Sequence, residues 1–243
     1  MVVARAKRCA SISPRLAEPF VATCLPLWLM PTNFYEEVVL DITDSQPISA
    51  WVQECSPRWS VIKVHVPLEH QAGPNHCGAA VVTAILAYFD NLMFQNEVAE
   101  RLGTDPETGT FHGRMTQLLQ DELSDFRVRE EHLTVESLKN YLDQGVPIVC
   151  FLQAWGEKAD YKDEWNSGHA VVAIGYDEQN IVFMDPWVRG QYAYLPIEEL
   201  ETRWHYRSVD AGRDYKRFGI VVISQNGGPR EVGGIHDPLV FIR

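Results

Sequence analysis

Gln71-Ala72-Gly73-Pro74-Asn75-His76-Cys77-Gly78-Ala79-Ala80 leads into a long apolar run that continues to Phe89. The Gly-Pro-Asn segment reads as a turn, and residues 79–89, apolar almost all round, read as a helix buried through the middle of a domain. Cys77 therefore falls at the first turn of that helix, where unpaired backbone N–H groups and the helix dipole favour negative charge. The thiolate is the nucleophilic form of cysteine, so this position lowers the cost of making it. The same N–H groups suit an oxyanion, and the side-chain amide of Gln71 is a second donor if the turn brings it back to the helix start. Gly78 leaves room for another group to approach.

Two later segments complete the set. Gly168-His169 opens an apolar, β-branched stretch that reads as a strand over residues 169–176, and Asp185-Pro186 ends the next one, over 181–185. The intervening Tyr176-Asp177-Glu178-Gln179-Asn180 is a turn signal. If the strands pair as a hairpin, their opposed ends put the Asp185 carboxylate beside the His169 ring. There it would fix the tautomer and stabilise the imidazolium. Cys77, His169, Asp185 and Gln71 then form a constellation for thiol acyl chemistry.

Taken singly, each residue has a plainer reading: Cys77 as a buried thiol, His169 as a satisfied core histidine, Asp185 as a turn initiator, Gln71 as an exposed loop residue. Their joint occurrence argues for the chemistry. His76 beside Cys77 invites a metal reading, but adjacent residues of one segment rarely ligate together and no zinc spacing is present, so no metal is expected. Trp155, Trp165 and Trp187 lie near the histidine and aspartate in sequence, as walls of a cleft or as ordinary packing.

These segments resemble the papain-like cysteine peptidases of the C39 or C39-like group, whose best-known members trim double-glycine leader peptides. The resemblance rests on Gln-x5-Cys-Gly at 71–78, Gly-His-x-Val-Val at 168–172, and Asp-Pro after a short strand. Leu102-Gly103-Thr104-Asp105, Gly109-Thr110 and Gly145-Val146-Pro147-Ile148-Val149 agree with it, and it covers about residues 65–210. It implies a papain-like layout: a cysteine-bearing helix packed on an antiparallel sheet that carries the histidine. It also implies a peptide or protein substrate and no cofactor. The exporter-linked members resemble N-terminal modules of membrane transporters, and no transporter is expected to follow here.

The rest of the pattern is α+β. Helices are expected over 79–89, 97–102, 116–123 and 134–144, and strands over 61–66, 148–152, 169–176, 181–185 and 218–224. Helices first and strands later is the order of that class. Residues 1–33 read as an arm, 34–225 as the peptidase-like domain, and 226–243 as a loop-rich tail ending in a short strand over 239–242. Gly227-Gly228 and Gly233-Gly234 in that tail have a sufficient explanation as turn residues.

A composition of 46% hydrophobic and 22% charged residues suits a globular chain. The net charge of −12 disfavours nucleic acid as a partner. Residues 1–30 carry Arg5, Lys7, Arg8 and Arg15 against Glu18, a local +3 that leaves −15 on the remainder. Five cysteines, Cys9, Cys24, Cys55, Cys77 and Cys150, are scattered without a Cys-x-x-Cys pair, which fits a reducing compartment and a cytoplasmic setting. No apolar stretch reaches the roughly 20 residues of a membrane span. The arm is open to four readings: a signal peptide, an organelle transit segment, a start at Met30, or an ordinary disordered arm. A hydrolase that ends its thioester with water is the leading functional reading. An acyltransferase that ends it with another acceptor, and a binding module that only holds a peptide, are the rivals. Oligomeric state is not legible.

Overall fold

A computed structural model describes residues 62–156, 161–208 and 212–224, together with a strand at 240–241. The arm at 1–33, the segment 34–61 and the tail apart from that strand lie outside the described residues, as do Cys9, Cys24 and Cys55. Helix α1 spans Cys77–Tyr88, and its Val81, Val82, Ile85 and Leu86 are fully buried. Removing such side chains from water stabilises by about 1.5–3 kcal/mol each. That energy pins the helix along its length and so fixes where it begins, at Cys77. Around it pack α2 (Gln95–Leu102), α3 (His112–Glu122) and the strand Gly168–Tyr176. Gly103, with φ +58°, ends α2 in the left-handed conformation that glycine adopts without strain. Helix α4 (Val135–Asp143) starts with a capping box: the Ser137 N–H donates to the Thr134 hydroxyl, and the Thr134 N–H donates to the Ser137 hydroxyl.

Among the described residues the sheet has seven strands, in the order β1-β8-β2-β3-β4-β5-β9. These are β1 (Phe126–His132), β2 (Ile148–Gln153), β3 (Gly168–Tyr176), β4 (Asn180–Met184), β5 (Ala193–Pro196), β8 (Phe218–Ser224) and β9 (Val240–Phe241). Every neighbouring pair is antiparallel except β5 with β9. A separate ribbon joins β6 (His205–Ser208) to β7 (Arg213–Lys216), and α5 (Ile197–Arg203) connects β5 to β6. Helix and antiparallel sheet in one core is the α+β, papain-like arrangement expected.

The helices expected from the sequence all occur, with their starts shifted by up to four residues. Over residues 62–66, the described part of the strand expected over 61–66, no strand forms. Ile62 makes one isolated bridge to Gly175, and the N–H groups of Lys63 and Val64 both donate to the Ile174 carbonyl, which a bulge in β3 turns outward. Beyond them the Val66 N–H donates back to Val64 and Pro67 has no N–H, so extended pairing cannot continue. Val64 and Val66 are nonetheless fully buried. Their β-branched side chains are core residues on an irregular backbone. Among the described residues, no helix is long and apolar enough to cross a membrane.

Candidate active site

β3 and β4 pair with Val172 opposite Met184. Extending that register by one rung sets Asp185 opposite Val171, and residue 169 shares a face with residue 171. The two side chains meet accordingly: His169 Nε2 lies 2.7 Å from Asp185 Oδ1, and both residues are about 2% exposed. Asp185 Oδ1 also accepts the Trp187 backbone N–H at 2.9 Å, which fixes the carboxylate from the other side. With Nε2 bound to Asp185, Nδ1 is the ring nitrogen left for the thiol, and among the described residues no other protein group hydrogen-bonds to it.

Cys77 is partly exposed at the start of α1, against β3. Burial of its sulfur would raise the thiol pKa. The His169 ring opposes this, as a hydrogen-bond partner and as a charge, with help from the Ala170 and Gly78 N–H groups, and the thiol ends below its ordinary value. Burial would likewise lower the pKa of His169, but the Asp185 carboxylate and the Cys77 sulfur overcome it and push the imidazole up to about 10. Both shifts favour a thiolate–imidazolium pair at neutral pH. Cys150, by contrast, is fully buried in β2 and its thiol is pushed far up by burial, which leaves it inert.

The glutamine loop is tied to both halves of this site. The Gln71 N–H donates to the Pro186 carbonyl at 2.9 Å, directly after Asp185. Gln71 is 4% exposed, and its amide nitrogen donates to the carbonyls of Gly73 and Pro74 at 2.7 and 2.8 Å, while its amide oxygen has no partner among the described residues. The side chain thus curls back along the turn as expected, but both of its hydrogens are engaged by the turn. Gln95, at the start of α2, anchors the same loop. Its oxygen accepts the Ala72 N–H, and its nitrogen donates to the His70 carbonyl and the Glu69 carboxylate. Nothing in the sequence marked Gln95 for this role.

Gly78 answers to a close approach. A Cβ there would lie 2.6 Å from Thr110 Cβ and 3.0 Å from its hydroxyl. The segment bearing Thr110 is held by an Asp105–Gly109 bridge, and the Asn75 amide donates to Pro106 and Glu107 beside it. The cysteine turn is therefore braced from outside the helix.

Of the three tryptophans, two reach the site. The Trp155 ring lies 4.9 Å from the His169 ring and 5.6 Å from that of Trp187, and each tryptophan is about half exposed. Trp155 also adopts φ +60°, a left-handed backbone that costs a bulky residue on the order of 1–3 kcal/mol. Trp165 packs elsewhere, 4.4 Å from His205, with the Arg207 and Lys216 cations over its ring. His76 does not join the triad's hydrogen bonds, and among the described residues no group of three or more His, Cys, Asp or Glu side chains is placed to hold a metal ion.

The Peptidase_C39 like family matches residues 63–211 of the chain. No curated protein sequence matches it. Among solved structures, the chain is similar to a protein from Bacillus anthracis described as a C39-like peptidase, with 19% identity and a TM-score of 0.53, covering 68% of this chain and 98% of that one. It is also similar to the peptidase domain of Streptococcus ComA, a bi-functional ABC transporter involved in a quorum sensing pathway. There the identity is 17% and the TM-score 0.50, covering 66% of this chain and all of that domain, 100%. At these identities the likeness is one of fold.

Proposed function

The chain belongs to the Peptidase_C39 like family, and from that premise we propose that it is a cysteine peptidase acting on peptide or protein amide bonds. One observation carries the reading: His169 Nε2 is bound to Asp185 at 2.7 Å, which reserves the other ring nitrogen for a thiol whose pKa is lowered. In this reading the Cys77 thiolate attacks the scissile carbonyl, and its oxygen takes up the negative charge. The Cys77 N–H at the helix start and the Gln71 amide hold that oxyanion. Gln71 can donate to it only by releasing the Gly73 or Pro74 carbonyl, so the hole is completed as substrate binds. The His169 imidazolium then protonates the leaving amine as the C–N bond breaks, leaving a thioester on Cys77. Water attacks the thioester, His169 takes its proton, and the acid product leaves with the thiolate restored. Asp185 orients the ring and stabilises its charged form throughout.

A thiol nucleophile and scattered cysteines without a Cys-x-x-Cys pair support a reducing, cytoplasmic setting for this activity. The test is incubation with a proteome-derived peptide library, with new termini read by mass spectrometry. Wild-type protein should produce cuts, and Cys77→Ser and His169→Ala should each abolish nearly all of them. The double variant should be little worse, because the two residues act as one unit. Cuts that persist in Cys77→Ser would overturn the reading.

A further inference from the structure

Gln95 commits both ends of its side-chain amide to the loop that carries Gln71. Its oxygen accepts the Ala72 N–H at 2.7 Å, and its nitrogen donates to the His70 carbonyl at 2.9 Å and to the Glu69 carboxylate at 2.6 Å. The Gln71 N–H is bound in turn by the Pro186 carbonyl at 2.9 Å. Both peptide units that flank the Gln71 Cα are therefore held, the first by Gln95 and Pro186 together, the second by Gln95. A peptide unit is planar, so fixing these two fixes the backbone torsions of Gln71 and leaves its side chain as the part free to turn. The platform is firm: Gln95 opens α2, whose Val98 and Leu102 are fully buried and which packs against α1. The Gln71 side chain itself is not satisfied where it lies. Its oxygen is buried without a partner among the described residues, and an unpaired buried acceptor disfavours the arrangement that buries it.

We propose that Gln95 is the positioning residue of the oxyanion hole: it locks the backbone on both sides of Gln71, so that the amide swings from its own turn onto the oxyanion along one defined path. The inference rests on the peptidase reading. Gln95 touches no reacting atom in that mechanism and acts through Gln71. What it supplies is precision, since a misplacement of about 1 Å can cost about 10²-fold in rate. Without Gln95 the Ala72 N–H loses its acceptor, while the ties to the Asp185 side remain: the Pro186 carbonyl on Gln71, and the Arg189 Nε–His70 Nε2 hydrogen bond at 3.0 Å. The amide then hangs from a backbone held on one side. Because the oxyanion exists only once the thiolate has attacked a carbonyl, the effect is confined to acyl chemistry. Iodoacetamide reacts with Cys77 by displacement of iodide at a saturated carbon and forms no oxyanion, so it reports the thiolate and not the hole.

The test compares the full chain with Gln95→Ala, Gln71→Ala and the double variant, on one peptide taken from the wild-type cuts and in the rate of Cys77 alkylation by iodoacetamide. Gln71→Ala should lower kcat by about 10²-fold, the cost of one oxyanion donor. Gln95→Ala should lower kcat by about tenfold with KM unchanged, as for an interaction made only in the transition state. The double variant should match Gln71→Ala, because Gln95 then has no amide to place. Alkylation should keep its rate and its pH midpoint in all three. Gln95→Met, similar in length but without the amide's hydrogen bonds, should repeat the Gln95→Ala result and so tie it to those bonds rather than to lost bulk. A kcat within about twofold of wild type in either Gln95 variant would overturn the proposal. So would losses that multiply in the double variant, or slower alkylation, which would assign Gln95 to holding the helix start instead. A wild-type kcat in Gln71→Ala would overturn the proposal together with the role of Gln71, and leave the peptidase reading standing. An absence of cuts by wild-type protein would overturn that reading, and the role of Gln95 with it.

Discussion

Asp185 Oδ1 serves two donors at once, the His169 ring and the Trp187 backbone. Asparagine in its place keeps an acceptor for Trp187 but removes the charge that holds His169 protonated up to about pH 10. Asp185→Asn should therefore fold, lose about 10²-fold in turnover, and show the alkaline limb of its pH profile at lower pH. A turnover within about twofold of wild type would remove the orienting role from this residue. The pH dependence of the wild-type site has a defined sign. Reactivity with iodoacetamide follows the thiolate, so it should rise with a midpoint below the ordinary thiol value of 9.0. Turnover also needs the imidazolium and should fall again near pH 10. The fold feels the same shift: the stability gained from His169 is fully present below its ordinary pKa of 6.5 and is lost as pH rises through about 10. In peptide mapping after brief alkylation, Cys77 should be the cysteine modified fastest, with Cys150 silent behind its burial. Labelling of Cys9 or Cys55 at the same rate would remove the case for an activated nucleophile.

Helix α1 meets the Thr110 segment with no space for a side chain at Gly78. Gly78→Ala should destabilise by about 1–3 kcal/mol, the cost of overpacking. It should also slow Cys77 alkylation, since the helix start would have to move. Thr110→Gly removes the opposing carbon, so the double variant should be less destabilised than the single effects summed, as read by denaturant unfolding. Additive losses would show that the contact is not the reason for glycine. Elements of this kind explain what the sequence could and could not convey. α1, β3 and β4 were legible because they are nearly continuous apolar runs bounded by turn residues, and Cys77, His169 and Asp185 lie at their ends. β1 was not, because Phe126–His132 is an edge strand, largely charged and only partly buried, and it interrupts the expected order of helices before strands. β6 and β7 are short and polar in the same way, and α5 completes barely two turns. The engagement of Gln71 by its own turn, and the parting of Trp165 from the other tryptophans, depend on side-chain direction that spacing alone does not carry.

At the scale of the molecule, the sheet has an edge at β5 that has to be closed. β9 lies parallel to β5, with Ala193 opposite Val240 and Tyr194 opposite Phe241, so the last residues of the chain cover an edge that would otherwise present unpaired N–H and C=O groups. The pairs Gly227-Gly228 and Gly233-Gly234 precede it, outside the described residues. Double glycines are the sites cut by the exporter-linked peptidases that the chain resembles, so self-processing is the natural question. The chemistry of the tail opposes it twice. Pro229 would follow the first pair, and proline brings neither the N–H nor the backbone freedom that a cleft accepts at the bond to be cut. A cut after the second pair would free β9 from β5 and expose the edge. The chain should therefore keep its full mass through prolonged incubation at neutral pH. A variant truncated after Gly234 should self-associate more than the full chain in light scattering, through its open β5 edge. Loss of the residues beyond Gly234 in wild-type protein but not in Cys77→Ser would overturn this prediction. It would also make the tail a substrate of its own active site, with glycine accepted on the acyl side of the cut bond.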